Sequence, residues 1–420
     1  MTIIMFKNHL KHRHYWVITL LAAIVFFSNR CVSGEKPGAS DTVFENFAGS
    51  SSCQGCHKEI YESHLETLHH LTSDTAIIEK ILGYNHARKN SFVFHPGLFI
   101  NVEEQGGQLH QVAYQNGVAK ISRPFDYVIG SGKKGQSYLY WLDDYLFQLP
   151  LTYFTATNEW TNSPGYVNKV QFNRPITSRC LECHTTYFKT ESPGVEKTER
   201  FSRAEVILGV ECEKCHGAAK GHINYHQAND DDKKGRYIVN PSKLTRAQNL
   251  DLCRLCHGGS LSKSQPSFSF TAGDKLSDFF SLDSSIKNAS DIDVHGNQFG
   301  LLSASKCFTN SDLTCTSCHS AHKKESGQLD LYVSRCINCH QQPHGKVCAL
   351  TDKQPENFLR QNCIDCHMPK LPSRAITVLR EGDAIPTSAM MRTHYIGIYK
   401  DEIRKILQGD TTQLNNNINR

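Results

Sequence analysis

The sequence predicts helical and irregular segments gathered around repeated cysteine–histidine sites, with one β-rich insert between the first and second of them. Three observations support this. A five-residue motif, Cys-x-x-Cys-His, occurs seven times. Its first copy runs on into "KEIYESHLETLHH", where Ile60, His64 and Leu68 recur at i, i+4 and i+8, one face of a helix. Residues 90–172 hold strand-like runs broken by Gly-Gly and Asn-Gly, the signal of two-residue hairpins.

The chain has 420 residues, enough for two or three domains, and 39% are hydrophobic. Residues 1–30 stand apart. Lys7, Lys11 and Arg13 precede the apolar run "WVITLLAAIVFF", and "SNRC" follows. Basic, then apolar, then polar is the order of a secretory signal, and the run is short for a spanning helix. An uncleaved anchor is the alternative. Cys31 is a candidate for lipid attachment at the start of a mature chain, although "SNR" lacks the small residues such sites prefer. Residues 31–52 read as a flexible tether. Membrane association is therefore expected only through an anchor or a lipid, in an exported protein that is periplasmic or on the outer surface. The formal charge is +5, and residues 1–30 carry four positive groups and no negative one, leaving +1. No basic patch interleaved with aromatics stands out, so nucleic acid is excluded as a partner.

Seventeen cysteines in an exported chain would ordinarily mean disulfides. Their spacing says otherwise. The seven copies are Cys53/Cys56/His57, Cys180/Cys183/His184, Cys212/Cys215/His216, Cys253/Cys256/His257, Cys315/Cys318/His319, Cys336/Cys339/His340 and Cys363/Cys366/His367. Composition alone predicts roughly 0.04 copies by chance. The motif is the covalent attachment signature of c-type haem: two thiols form thioethers with the vinyl groups, and the adjacent histidine is the proximal iron ligand. Zinc ribbons do not require histidine next to every second cysteine. A thioredoxin-like redox pair would occur once. Seven haems c are therefore expected. Only Cys31, Cys307 and Cys348 lie outside the motifs, and a Cys307–Cys348 disulfide is one reading of the last two.

Each haem iron has a second axial position. Of 22 histidines, seven are proximal and His9, His12 and His14 lie in the leading segment, so twelve remain. Methionine, the other common ligand, occurs only five times, two of them (Met1 and Met5) in that segment. Bis-histidine ligation, with its lower potentials, is the expectation for most sites. His69 and His70 end the helix that rises from the first motif. His322 in "CTSCHSAH", His222 in "CEKCHGAAKGH", His295 in "DVHGNQFG", His394 in "MMRTHYIG" and His344 in "CINCHQQPH" are further candidates. His64, His86, His95, His110 and His226 have weaker context.

The motifs group as one, three and three. This divides the chain into a first haem module (53–89), the β-rich insert (90–172), a module with sites 2–4 (173–262), a Ser-rich linker (263–290), a module with sites 5–7 (291–400), and a C-terminal helix and tail (401–420). The insert would cover haem edges with aromatics. "GSGKKGQS" resembles a phosphate loop, but Gln136 stands where the lysine should be, so it reads as a turn. Residues 31–420 give about 56 residues per haem, too few to bury much apolar surface alone. The macrocycles must supply much of the interior. Their propionates add negative charge, which Arg179 and Lys214 are placed to offset.

These motifs carry a family resemblance. "SSCQGCHKEIYESHLETLHH", "GVECEKCHGAAKGH", "DVHGNQF…SKCF…LTCTSCHSAH", "NCIDCHMPK" and "MMRTHYIGIY" are similar to multihaem c-type cytochromes of the tetrahaem hydroxylamine-pathway carrier type. Those group with pentahaem and octahaem reductases of nitrogen and sulfur oxyanions. The resemblance spans most of residues 50–400. It implies a mainly α fold with much irregular loop, wrapped around stacked c-type haems, and distal ligands at His69, His222, His295, His322 and His394. His64 stands where the family usually has an aromatic. All seven sites end in histidine, unlike the pentahaem nitrite reductases, which carry one ending in lysine. Octahaem hydroxylamine oxidoreductases have one more site and a crosslinking tyrosine with no counterpart here.

The expected function is electron transfer through mostly six-coordinate, low-potential haems. The redox partners would be a membrane quinol-linked donor and a terminal reductase or extracellular acceptor. The alternative is a haem-dependent oxidoreductase, with one open haem acting on a small nitrogen or sulfur oxyanion and nearby His, Lys or Arg handling protons and the anion.

Overall fold

A computed structural model describes residues 44–166, 168–191, 198–282, 288–340 and 348–408. The leading segment, Cys31, His344 and the tail from Gly409 lie outside the described residues. Seventeen strands are described: β1 Ser73–Thr75, β2 Ser91–His95, β3 Leu98–Gln105, β4 Gln108–Gln115, β5 Val118–Pro124, β6 Tyr127–Ile129, β7 Gly135–Leu142, β8 Tyr145–Gln148, β9 Leu151–Phe154, β10 Glu159–Asn162, β11 Arg174–Pro175, β12 Thr185–Thr190, β13 Phe201–Leu208, β14 Ser262–Lys263, β15 Phe280–Ser281, β16 Lys370–Val378 and β17 Thr387–Arg392. The α-helices are α1 Gln54–Leu65, α2 Ser178–His184, α3 Cys212–His216, α4 Lys220–Ala228, α5 Arg246–His257, α6 Gln298–Ser303, α7 Lys306–Thr309, α8 Leu329–Cys339, α9 Glu356–His367 and α10 Lys400–Leu407.

The expectation of a mainly α fold is overturned. About 32% of the described residues are helical and about 27% are strand, in several antiparallel sheets. The physical reason is that an attachment motif needs little more than one helical turn. The helices that carry motifs are short, from 5 to 12 residues. Extended backbone fills much of what separates them.

The sheets between sites 1 and 2 follow from local sequence. Strands β2 to β5 form a meander. Its β3–β4 turn is Gly106–Gly107 and its β4–β5 turn is Asn116–Gly117, all four with positive φ. That is the left-handed geometry which a two-residue hairpin demands and which Gly and Asn tolerate. A seven-stranded sheet runs β1-β6-β7-β8-β11, with β9 pairing β7 and β10 pairing β9. The meander and the larger sheet share one core, in which Phe92, Ile100 and Leu109 meet Phe125, Tyr138, Leu151 and Trp160. Gln136 is structural: its side chain accepts from the Leu82 amide (2.9 Å) and donates to the Lys80 carbonyl (3.0 Å).

The helices around the motifs bury little by contrast. The one buried residue of α1 is His64, that of α8 is Val333, and α4 and α10 have none. Helices of this length are not stable through propensity and need an apolar partner. The partner is not a protein core, which fits a covalent macrocycle at each motif. No helix among the described residues is long and apolar enough to cross a membrane.

Candidate haem-ligand sites

Six of the seven motifs lie on α-helices: on α1 (site 1), on α2 and α3 (sites 2 and 3), and at the C-terminal ends of α5, α8 and α9 (sites 4, 6 and 7). At sites 2–4, 6 and 7 the thiols, three residues apart, project from one side and the histidine follows at or near the last turn, whereas at site 1 Cys53 caps α1 and His57 lies in its first turn. Site 5 differs, with Cys315–Ser317 forming a single 3-10 turn. Helix α5 is fixed at its start by a reciprocal cap. Thr245 accepts from the Gln248 amide, and the Gln248 side chain accepts from the Thr245 amide (3.1 Å).

The structure leaves Cys56 exposed, whereas its motif partner Cys53 is half-buried. No thiol of another motif stands against Cys56 among the described residues, although Cys53 has one in Cys212. The reason is local. Residues 54–60, the first two turns of α1, are all exposed, and the backbone leaves helical geometry at His57 (φ −117°, ψ 40°). Cys180, Cys336 and Cys339 are exposed as well. A thioether needs only the vinyl edge of a haem, so an exposed thiol can still hold one. The protein does not enclose that edge at site 1.

The proximal rings are held from behind. The Nδ1 of His216 donates to the Val239 carbonyl (2.9 Å), and that of His367 to the Gly397 carbonyl (2.8 Å). His257 Nδ1 faces Gln298 Oε1 (3.3 Å), His184 Nδ1 faces Thr72 Oγ1 (3.1 Å), and His319 Nδ1 faces the Tyr332 hydroxyl (3.4 Å). Engaging Nδ1 fixes the tautomer and leaves the Nε2 lone pair for a metal. Sequence reasoning did not find these partners, because they come from other segments of the chain and carry no motif.

The structure brings four of the candidate distal histidines against proximal ones. Ring centres are 5.9 Å apart for His216 and His322, 6.1 Å for His319 and His394, 6.3 Å for His257 and His69, and 6.5 Å for His57 and His222. Two imidazoles on one ion have a calculable spacing. With bonds of roughly 2.0 Å and ring centres about 1.1 Å behind each nitrogen, it is about 6.2 Å. All four pairs fall near that value, so the residues fit bis-histidine haem. The distal His222 is oriented likewise, its Nδ1 donating to the Arg236 carbonyl (2.8 Å). His295 lies within electrostatic reach of His184. Burial pushes His184 down to about 4, and the His295 charge adds to this. His69 and His394 are also pushed to about 4, by burial first and neighbouring imidazoles second. A neutral imidazole is the ligating form.

No second imidazole lies against His340 or His367 among the described residues. The candidate His344 lies outside them. Cations gather beside site 7, and one of them, Arg392, is paired with Asp365 of the motif (2.8 Å). Burial and then Lys370, Lys133 and Arg392 lower Lys134, while burial and then Arg392 lower Lys370.

Motif carboxylates join the modules. Glu213, inside motif 3, accepts from the amides of Ala48 (2.8 Å), Gly49 (2.9 Å) and Ala219 (2.8 Å). Glu182, inside motif 2, accepts from the Phe268 amide (2.8 Å) and from Arg179, whose other nitrogen donates to the Leu255 carbonyl in motif 4 (2.7 Å). Thiols of different motifs also meet. Cys53 contacts Cys212, Cys183 contacts Cys256, and Cys253 contacts Cys315. Cys215 lies within electrostatic reach of Cys253, Cys318 of Cys336, and Cys336 of Cys363. The sites thus neighbour one another in the order 1–3–4–5–6–7, with site 2 joined at site 4.

Cys307 and Cys348 are not bonded to each other. Cys307 lies near Cys318 and Cys339, and Cys348 near Cys363 and Cys366, so the disulfide reading does not hold.

Residues 153–217, which contain motifs 2 and 3, match the family described as cytochrome c554 and c-prime. No match was found among curated protein sequences. Among solved structures the chain is similar to the outer cell wall cytochrome OcwA. That likeness has 15% identity and a TM-score of 0.48, and covers 84% of this chain and 79% of the other. The repeated motifs and the family match together support a multihaem c-type cytochrome.

Proposed function

We propose that the chain is an exported heptahaem c-type cytochrome that carries electrons. The observation that carries this reading is the set of imidazole pairs spaced for an intervening iron. In this reading His57/His222, His184/His295, His216/His322, His257/His69 and His319/His394 are axial pairs, and the fourteen motif cysteines hold seven haems c. Bound haem supplies reversible one-electron chemistry at iron. The chain holds the proximal His184, His216, His257, His319 and His367 and the distal His222 through contacts to Nδ1, so little rearranges at those ligands when charge changes. Bis-histidine ligation gives lower potentials than a Met/His pair. The neighbour order 1–3–4–5–6–7 is the electron path, and site 4 is its branch point. Export is argued from the leading segment and from the attachment chemistry. A membrane quinol-linked donor and a terminal reductase or extracellular acceptor are the partners that low-potential haems suit. A lipid on Cys31 would tether the carrier to a membrane.

One observation favours a second reading. Lys133, Lys134, Lys370 and Arg392 crowd together near site 7, where no second imidazole is described. One open haem there would reduce a small nitrogen or sulfur oxyanion held by these cations. Counting spin states decides between the two. A carrier gives oxidised holoprotein that is all low-spin and indifferent to cyanide or nitrite. One high-spin haem per chain that binds either ligand establishes the enzyme instead.

A further inference from the structure

The haem-ligand sites leave three histidines of the first module unused, and the structure brings two of them, His64 and His70, to one carboxylate. Glu211 Oε1 lies 2.5 Å from His70 Nδ1, and Glu211 Oε2 lies 3.5 Å from His64 Nε2. The donor atoms of the three side chains all fall within 4.8 Å of one another. His64 is 6% exposed and Glu211 is 8% exposed. Yet His64 Nε2 and Glu211 Oε2 are both buried without a hydrogen-bond partner, facing each other. A donor or acceptor left dry costs about 1–3 kcal/mol, so such a pair calls for something between them. Their 3.5 Å separation is too long for a hydrogen bond. It is close to the edge of a tetrahedral site, roughly 3.3 Å for bonds of 2.0–2.1 Å.

We infer that His64, His70 and Glu211 bind one divalent transition ion of the zinc class. Two imidazoles and a carboxylate suit a borderline ion, where an all-oxygen set would suit calcium or magnesium. The ion takes Nε2 of His64, Nδ1 of His70 and the carboxylate, replacing the short His70–Glu211 hydrogen bond. Its charge offsets that of the buried carboxylate. The fold supplies the surroundings. The Thr67 hydroxyl stands 3.5 Å from His64 Nδ1 and donates to the His64 carbonyl (2.7 Å). Glu211 is held by its own amide, which donates to Thr186 Oγ1 (2.7 Å). Glu211 directly precedes motif 3, and His70 directly follows His69, so the ion sits beside two haem sites without sharing a ligand with either.

The test uses haem-loaded protein, from which a chelator strips loosely bound ions but not thioether-linked haem. The protein is incubated with zinc chloride, desalted, and analysed for zinc per polypeptide by elemental analysis and native mass spectrometry. One retained zinc is expected in the wild type. Glu211→Gln and His64→Leu are each expected to weaken retention at least 100-fold with haem content unchanged. His86→Ala, at an exposed histidine 4.0 Å from Glu104, is expected to leave it unaltered. If Glu211→Gln fails to load haem, His64→Leu carries the comparison. No zinc in the wild type, or equal zinc in the wild type and both variants, overturns the assignment. The outcome does not depend on whether haem ligation elsewhere follows the proposed pairs.

Discussion

His322→Ala removes one ring from the closest of the proposed axial pairs. His216 and His322 stand 5.9 Å apart and 16° from parallel, against a spacing of about 6.2 Å for two imidazoles sharing an ion. In the variant, His216 is still held by the Val239 carbonyl, so the site keeps its proximal ligand and loses the distal one. The His322 side chain is exposed, and its carbonyl, which accepts from Ser63 Oγ (2.8 Å), is unaffected by the substitution. Loss of an exposed side chain changes stability within about 0.5 kcal/mol. The variant should therefore fold, load all its haem and convert one iron in seven from low to high spin. Electron paramagnetic resonance of the oxidised protein measures that fraction, against total haem from the pyridine haemochrome. Added imidazole should restore the low-spin signal, and cyanide should bind one site per chain. His322→Met should keep the site low-spin and raise its potential. A spectrum that stays wholly low-spin in His322→Ala would refute the pairing. So would a change at several sites together, which would mean that His322 supports the fold instead of an iron.

Three other outcomes follow from the same coordinates. Arg335 on α8 grips Glu325 through two contacts (2.6 and 2.8 Å) and donates to the Cys318 carbonyl (2.6 Å), clamping site 5 to site 6. The Arg335 guanidinium outweighs burial and holds Glu325 at about 2. A depressed carboxyl stabilises the fold above its unfolded value, near 4.3, and that stability is lost as pH falls towards 2. Glu325→Gln should cost about 2–3 kcal/mol at pH 6, discounted for the partly solvated Arg335, with the difference fading towards pH 2 in denaturant titrations. Trp160→Ala, in the core that joins the two sheets, should cost about 3–5 kcal/mol and leave the spin-state count unchanged. Alkylation of unreduced holoprotein should label both Cys307 and Cys348 in peptide mass maps; labelling only after reduction would contradict the separation of the two thiols.

The attachment residues were legible in the sequence because their chemistry is local. Two thiols and an imidazole must lie within one helical turn, so five consecutive residues state the requirement in full. Their surroundings were not legible, and the exposure of Cys56 beside a half-buried Cys53 is the plainest case. The hairpins at Gly106–Gly107 and Asn116–Gly117 were legible because few residues accept left-handed backbone. The candidate distal histidines could be named from supply and context, but their partners could not. His394 reaches His319, and His69 reaches His257, across wide intervals of chain. The resemblance led to too much helix. It was built on the motif-bearing stretches, and the strands of 73–175, 185–208 and 370–392 lie largely between them.

The sequence by itself determined where the seven attachment motifs lie and which residue types were available as axial ligands. Covalent attachment and tautomer chemistry act over a few residues and leave a pattern there. Tertiary structure alone decided which imidazole faces which, in what order the sites neighbour one another, and that His64, His70 and Glu211 converge. Those are distances between groups far apart along the chain. They are fixed by the packing of sheets and short helices, to which every side chain contributes a little and no single stretch contributes a signature.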